Sequence, residues 1–184
     1  MSENADKYRR ALEGFSAVVD QVPADKWSAP SPCANWTAAH VVGHVIGNTT
    51  WISGAKTGEP ANLDPGAAAG DDPAASYAAA RDQALDALTD EYLTKTVQGP
   101  MGEMPLDQLI GMIMANDVLI HTWDLAKTIG ADVTLDPQLV EDAYNGLQPL
   151  DAMVRSERVF GPKVDVAADA DTQTKLIAFT GRTP

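Results

Sequence analysis

Apolar residues recur every three or four positions along most of this chain, and that periodicity constrains the fold more than any other feature. Tyr8, Leu12, Phe15, Val19 and Val22 have this spacing and predict a first helix that ends before Pro23. Further helices are predicted from Thr37 to about Lys56, from Asp72-Pro73 through Leu88, from Pro105 to Lys127, and from Asp136-Pro137 to about Val154. No run of alternating apolar and polar residues indicates a strand. The sequence therefore predicts an all-α fold, a bundle of four or five long helices around one core.

The segments between these helices are rich in Pro and Gly. Residues 24–35, 59–72 and 97–105 are predicted to be loops or connections. The tail from Gly161 is predicted to be mostly irregular, with a short helix from Asp171 to Phe179. A chain of 184 residues fits one domain, which we expect to span residues 1–184.

The charge balance limits the classes of partner. The chain has 13 Lys and Arg against 26 Asp and Glu, for a net charge of −13. Because phosphate groups repel so acidic a chain, we expect neither nucleic acid nor an anionic membrane as a partner. A single cysteine excludes a disulfide framework. The first residues do not form a secretory signal, and the longest apolar stretch, Leu109–Ile120, is too short to span a bilayer, so we expect a cytoplasmic protein.

Two polar residues interrupt the apolar face of the predicted fourth helix. At roughly 100° per residue, Asp117 and His121 lie about 40° apart and one turn from each other. The same face carries four apolar residues within about 60° of His121, namely Ile110, Met114, Val118 and Leu125. A carboxylate buried in such a face must be compensated. A metal cation would compensate it, and so would a hydrogen bond from His121 or an arginine partner.

His44 lies on the second predicted helix and is one of three histidines in the chain. If the second and fourth helices face each other, His44, Asp117 and His121 converge as two imidazoles and one carboxylate. That donor set is typical of an open catalytic metal site, with three protein ligands and room for water or substrate. The alternative is that His44 is a semi-buried, hydrogen-bonded residue. The substrate pocket beside such a metal would be lined by Trp51, Asn48 and Met114.

Three further residues could join this site or serve the fold. Thr37 has the position of an N-cap, so His40 would take the third helical position, where a capping box has Glu or Gln. We interpret His40 as a helix-end residue, with metal ligation as the alternative. Asp124 could orient the His121 imidazole or could be a solvated acid. Cys33 is interpreted as an inert small residue, and the alternative is a reactive thiol near a helix N-terminus.

Two segments resemble signatures of the DinB/YfiT-like metal-binding superfamily, in its mycothiol-dependent maleylpyruvate isomerase branch. The first is SPCANWTAAHVVGHVIG, which has a Pro-Cys loop, a Trp just before the helix (Trp36) and a His eight residues later (His44). The second is DVLIHTWDLAKTIG, which has an acid four residues before a His, followed by Trp-Asp-Leu-Ala. The GEMP of residues 102–105 and the closing Gly-Arg-Thr-Pro also look like small, mostly actinobacterial members of this branch.

The resemblance covers nearly the whole chain. It implies a DinB-like four-helix bundle with an additional short helix and an irregular C-terminal tail, and a divalent metal held by His44, Asp117 and His121. The chain departs from the isomerase in three respects. Asp117 stands where the isomerase has Glu, and His40 stands where the family commonly has an acid. The residues after about position 160 are too few for the isomerase's second, C-terminal domain.

Two classes of function follow from these features. The first is a metal-dependent thiol transferase or isomerase, in which the ion holds a small thiol as its thiolate for attack on a small electrophilic molecule. The resemblance implies mycothiol as that thiol; without a thiol, the ion could activate water for hydrolysis. The second class is a non-catalytic metal-binding module or a vestigial site. Two His and one carboxylate suit zinc, which we expect first, and also nickel, iron or manganese; a homodimer is left open.

Overall fold

The computed structural model describes residues 1–54, 64–99, 102–155 and 159–184. The described residues are mostly helical, which confirms the all-α prediction. They form two compact units, residues 1–133 and residues 134–184. The single domain expected over residues 1–184 is not tested by this division and stays a prediction. Among the described helices, none combines the length and the apolar character that a membrane span requires.

Four long helices form the N-terminal unit. They are α1 (Glu3–Val19), α2 (Ala38–Gly54), α4 (Pro73–Ala87) and α7 (Ala115–Ile129), and the short helices α3 (Pro65–Ala69), α5 (Asp90–Leu93) and α6 (Leu106–Leu109) lie between them. Helix α2 packs against α4 and α7, while α1 packs against α7 and more lightly against α4. Each long helix therefore has two long neighbours, which is the arrangement of a four-helix bundle.

The core of this unit is built from the apolar stripe that the sequence predicts for the first helix. Tyr8, Leu12 and Phe15 are fully buried, and the Phe15 ring meets the Tyr77 ring edge-on at 5.0 Å between centroids. The Tyr77 hydroxyl donates to the Leu12 carbonyl at 2.9 Å. Burial raises the pKa of Tyr77 to about 12, so the hydroxyl keeps the proton that makes this bond.

Helix ends follow the capping residues that the sequence contains. Asp72 and Asp136 accept hydrogen bonds from backbone amides of the first turns of their helices, and a proline follows each of them, as predicted. Gly130 has φ +72°, a left-handed conformation that favours glycine, and it ends α7 where predicted.

The C-terminal unit contains α8 (Pro137–Leu147), α9 (Asp151–Val154) and α10 (Thr172–Phe179). Helix α8 packs against α10. The helix predicted from Asp136-Pro137 to about Val154 begins and ends as predicted, but a 3-10 turn at Gln148–Leu150 divides it. That turn contains Pro149, which has no amide donor for a continuous α-helix. The short helix predicted from Asp171 to Phe179 is confirmed, with Asp171 as its N-cap.

Each of the predicted loops contains some regular structure. In the first, Ala24–Lys26 form one turn of 3-10 helix. In the last, β1 (Thr96–Gly99) pairs antiparallel with β2 (Gly102–Pro105), so the loop prediction is wrong for these residues. Strands of four residues are too short for alternation to be recognisable in the sequence. Helix α3 lies within the predicted connection of residues 59–72, and Asp64 caps it. The predicted helix end near Lys56 and residues 59–63 of that connection lie outside the described residues.

The helix predicted from Pro105 to Lys127 is present, but it is not α-helical throughout. It begins at Leu106, and a π-helical turn at Ile110–Met114 separates α6 from α7. A π turn contains one extra residue and leaves its carbonyl groups imperfectly paired. The Asn116 side chain donates to the Met112 carbonyl at 2.9 Å and satisfies one of them.

Helix α3 lies so close to α2 that the residue before His44 has no room for a side chain. A Cβ atom on Gly43 would lie 1.8 Å from the Pro65 carbonyl oxygen. We predict that Gly43→Ala lowers the free energy of unfolding by about 1–3 kcal/mol, because backbone must move to accept the methyl group. Gly14 of α1 is the matched control, since a Cβ there would meet nothing within 4 Å. Gly14→Ala should raise the same free energy by up to about 1 kcal/mol. Chemical denaturation measures both, and equal effects would contradict the assigned contact.

Candidate metal centre

Helices α2 and α7 bring the three predicted ligands together. Asp117 and His121 lie one turn apart on α7, and His44 faces them from α2. The His44 Nε2 atom lies 3.2 Å from each oxygen of the Asp117 carboxylate, and the His121 Nε2 atom lies 3.5 Å from Asp117 Oδ1. The two imidazole rings meet edge-on, with 4.7 Å between their centroids.

The separations between these donor atoms suit a divalent cation. Ligand atoms bonded at about 2.1 Å to a tetrahedral ion lie about 3.4 Å from one another. The observed separations of 3.2 and 3.5 Å are close to that value. All three residues offer a ligand atom within 4.8 Å of the others. The arrangement fits the predicted donor set, and metal ligation itself stays a prediction.

The carboxylate between the imidazoles is partly shielded from water. The side chain of His121 is 9% exposed, and those of His44 and Asp117 are 28% and 25% exposed. Burial alone would raise the pKa of Asp117, but the charge of His121 and hydrogen bonds to both imidazoles hold that pKa well below its usual range. Burial alone would lower the pKa of His121, and the charge of Asp117 outweighs it and raises that pKa well above its usual value. In the metal-free protein the centre therefore favours the charged forms of Asp117 and His121.

Asn48 is in direct contact with the predicted ligands. Its Nδ2 atom donates to Asp117 Oδ2 at 2.9 Å and lies 3.1 Å from His44 Nε2. It follows His44 by one turn of α2, so both side chains point toward α7. Trp51 is half-buried on α2, and Met114 is half-buried at the end of the π turn. The role of Asn48, Trp51 and Met114 in lining a substrate pocket stays a prediction.

Trp36 is a site residue that the sequence analysis treats only as part of a signature. Its ring centroid lies 5.0 Å from that of His44 and 5.8 Å from that of His121, so the indole covers both imidazoles. A closed loop holds it there, since Ser31 N–H donates to the Trp36 carbonyl and Trp36 N–H donates to the Cys33 carbonyl. The position of a tryptophan directly before the helix that carries His44 is the signal that could have identified it.

The same loop carries Cys33, whose thiol lies against the other edge of His121. Cys33 Sγ lies 3.2 Å from Asp124 Oδ2 and 4.0 Å from His121 Nδ1, and Asp124 Oδ2 lies 2.9 Å from that nitrogen. Asp124 is 0% exposed, so the alternative of a solvated acid is wrong. Cys33, His121 and Asp124 form a second group whose spacing could hold a cation.

His40 has the helix-end role that the sequence predicts. Its Nδ1 atom lies 2.7 Å from Thr37 Oγ1 and accepts a hydrogen bond from the Thr37 backbone amide at 3.3 Å. The His40 amide in turn donates to Thr37 Oγ1 at 3.4 Å. These reciprocal bonds form a capping box in which His replaces the usual Glu or Gln.

Comparisons with known proteins identify the family of the chain. Residues 8–126 match the family described as the mycothiol maleylpyruvate isomerase N-terminal domain. Uncharacterized proteins from two strains of Mycobacterium tuberculosis, CDC 1551 and H37Rv, are each 30% identical over 183 residues, which is 96% of this chain and 96% of the relative.

The crystal structure of the mycothiol-dependent maleylpyruvate isomerase has a TM-score of 0.56 and 17% identity, over 84% of this chain and 72% of that chain. A point mutant of the same enzyme has a TM-score of 0.57 and 18% identity over the same shares. At this identity the likeness shows the fold alone. It confirms the expected DinB-like helical bundle.

We predict that the purified protein carries about one equivalent of a divalent metal and that His121→Ala loses it, because the substitution removes one of three donors. Cys33→Ser should retain the metal, since Cys33 faces the opposite edge of His121. Elemental analysis measures the metal content of both variants, and because His121 belongs to both candidate groups, Cys33→Ser is the variant that separates them. Loss of metal in Cys33→Ser would assign the ion to the Cys33, His121 and Asp124 group instead.

We predict that metal affinity rises with pH through the range above neutral. Imidazole binds a cation only in its neutral form, and the raised pKa of His121 means that a proton must be displaced. The affinity should therefore increase until the pH passes that raised pKa, whereas a histidine of ordinary pKa would reach its plateau soon after about pH 7. Titration with chelator-buffered zinc between about pH 6 and 9 measures this dependence. An affinity that is constant above neutral pH would contradict it.

Proposed function

The chain belongs to the family of the mycothiol maleylpyruvate isomerase N-terminal domain, and from this membership we propose that it binds a divalent metal and catalyses thiol-dependent chemistry on a small electrophilic molecule. The reaction would be a transfer of the thiol or an isomerisation that proceeds through thiol addition. His44, Asp117 and His121 would hold the ion.

The observation that carries the proposal is the spacing of these three donor groups. Each imidazole nitrogen lies 3.2 or 3.5 Å from the Asp117 carboxylate, and all three ligand atoms lie within 4.8 Å of one another, which suits one ion. They come from two helices that are packed against each other. Three protein ligands leave a coordination position open, which is characteristic of catalytic rather than structural sites. The chemistry that such an ion supplies when bound is deprotonation of a coordinated thiol.

The chain's own residues would orient the metal-binding groups and shield them from water. Asp117 contributes the one negative charge of the donor set, and the Asn48 amide fixes its carboxylate by a 2.9 Å hydrogen bond. The Trp36 indole covers both imidazoles on one side, which excludes water there. The thiolate of the cosubstrate would then form a bond to an electrophilic carbon of the substrate. In an isomerisation this addition would break the π bond at that carbon, and elimination of the thiolate would re-form it; in a transfer, the bond to a leaving group would break and the group would depart with its electron pair.

Several finer points belong to the same proposal. The name of the related isomerase suggests mycothiol as the thiol, and that thiol would be met in the cytoplasm. Zinc is our first choice of metal, with nickel, iron or manganese as alternatives. A homodimer stays open. A non-catalytic metal-binding module or a vestigial site is the alternative, and one observation favours the vestigial site: Asn48 and both imidazoles already satisfy the Asp117 carboxylate without an ion.

The test is an activity assay with zinc-loaded protein. Maleylpyruvate and a generic electrophilic acceptor are each incubated with mycothiol, with glutathione or without thiol, and loss of thiol and formation of product are followed. We expect turnover that requires both zinc and a thiol, and that falls to the background rate in His121→Ala. The matched control is Asp86→Asn, at an exposed position of α4, which should leave the rate unchanged.

The other outcomes identify the alternatives. Hydrolysis of an ester substrate at a rate independent of thiol would indicate a metal-dependent hydrolase. Tight zinc binding without turnover of any substrate would indicate the non-catalytic module.

A further inference from the structure

Asp124 lies at the edge of His121 that faces away from the candidate metal centre. It follows His121 by three residues on α7 and is completely buried. Its Oδ2 atom lies 2.9 Å from His121 Nδ1 and 3.2 Å from the Cys33 thiol. A carboxylate oxygen can only accept, so both the ring N–H and the S–H donate to this one atom.

The other nitrogen of the same ring faces the candidate centre. His121 Nε2 lies 3.5 Å from Asp117 Oδ1, so a carboxylate lies at each edge of the imidazole. A neutral imidazole has one proton, and only the nitrogen without it can bind a metal. The two carboxylates therefore compete for the position of that proton. The Asp124 contact is shorter by 0.6 Å, from 3.5 to 2.9 Å, and is removed from water.

We propose that Asp124 is a positioning residue for His121: it holds the ring proton on Nδ1, with the Cys33 thiol as a second donor to the same oxygen, and so keeps Nε2 free for the ion. The part of this inference that concerns the ion rests on the proposed function. The part that concerns the proton does not, because the proton can be located without metal. Hydrogen-bonding partners of metal-ligating histidines fix the tautomer in this way and typically contribute 10–100-fold in affinity, an order-of-magnitude range.

The geometry does not suit a different role for the same three residues. A nucleophilic triad needs the thiol hydrogen-bonded to a ring nitrogen that can accept its proton. Here Asp124 occupies Nδ1 at 2.9 Å, and Cys33 Sγ lies 4.0 Å from that nitrogen but 3.2 Å from Asp124 Oδ2. The nearer partner of the thiol is therefore Asp124 and not the ring.

The first experiment locates the proton in the wild-type protein by nuclear magnetic resonance with isotope-labelled histidine. The chain has three histidines, so single substitutions assign the signals. The charged, metal-free ring carries a proton on both nitrogens, so the informative state is the neutral ring, which is reached at high pH or by binding zinc. In that state we expect the proton of His121 to remain on Nδ1, and we expect zinc to shift the signal of Nε2. An unprotonated Nδ1, or a zinc-induced shift confined to Nδ1, would overturn the proposal. This measurement needs no variant at the buried position.

The second experiment compares zinc affinity in Asp124→Asn with that in Asp86→Asn, the same substitution at the exposed position on α4. An amide can donate to Nδ1 and thereby move the ring proton to Nε2. We expect Asp124→Asn to weaken zinc binding about 10–100-fold and to move the proton, while Asp86→Asn stays within about twofold of wild type. A role in folding alone would lower the thermal stability of Asp124→Asn without changing the tautomer. An unchanged affinity in folded Asp124→Asn would overturn the proposal.

Cobalt substitution completes the test. A thiolate-to-cobalt charge-transfer band that disappears in Cys33→Ser would show that the ion lies at Nδ1 with Cys33, which the proposal excludes. If the wild-type protein binds no zinc, the proposed function fails. In that case the assignment of Asp124 is decided by the neutral, metal-free ring at high pH: a proton on Nδ1 in the wild type that moves to Nε2 in Asp124→Asn supports it, and a proton on Nε2 in the wild type overturns it.

Discussion

The cost of placing a carboxylate inside a helical bundle is the constraint on which the rest of this site depends. Asp117 lies between two imidazoles and an amide, and its position on α7 keeps it largely shielded from water. An uncompensated charge in such a place costs several kcal/mol, as an order-of-magnitude figure. The charged ring of His121 and hydrogen bonds from both imidazoles compensate it in the metal-free protein. A cation bound there would take over that task.

The elements around Asp117 are arranged to keep this compensation in place. Helix α2 supplies His44 and Asn48 on one face, and the glycine at position 43 lets the opposite face approach α3 closely. The loop before α2 folds back on itself, and it brings Trp36 over both rings and the Cys33 thiol to Asp124. One short loop thus contacts both imidazoles through Trp36 and the buried Asp124 through Cys33, although it contributes none of the three predicted ligands.

The sequence predicted the parts of this arrangement that follow from helical periodicity. Asp117 and His121 interrupt an apolar stripe, and the all-α bundle and the helix starts at Asp72 and Asp136 follow from spacing and caps. Periodicity contains no information on which loop folds over which helix, so the contacts that Trp36 makes with the imidazoles and Cys33 with Asp124 could not be derived from it. The contact of Asp124 with His121, three residues apart on one helix, was one of the two alternatives that the spacing left open. The hairpin of residues 96–105 was missed because its strands are too short to show alternation.

The π-helical turn at Ile110–Met114 has a consequence for the geometry of the segment that carries Asp117. One surplus residue in a turn shifts the angular phase of everything before it by about 100° relative to everything after it. The directions in which side chains point before and after the π turn are therefore set independently of each other. Residues 106–109 lie beside the hairpin, and Ser2 and Asn4 hydrogen-bond Asp107 there, while residues 115–129 are aligned to α2. Removing one residue from this turn would keep the helix, yet it would rotate residues 106–109 by about 100° relative to residues 115–129. The chain could then keep the hydrogen bonds from Ser2 and Asn4 to Asp107, or the orientation of Asp117 toward α2, but not both.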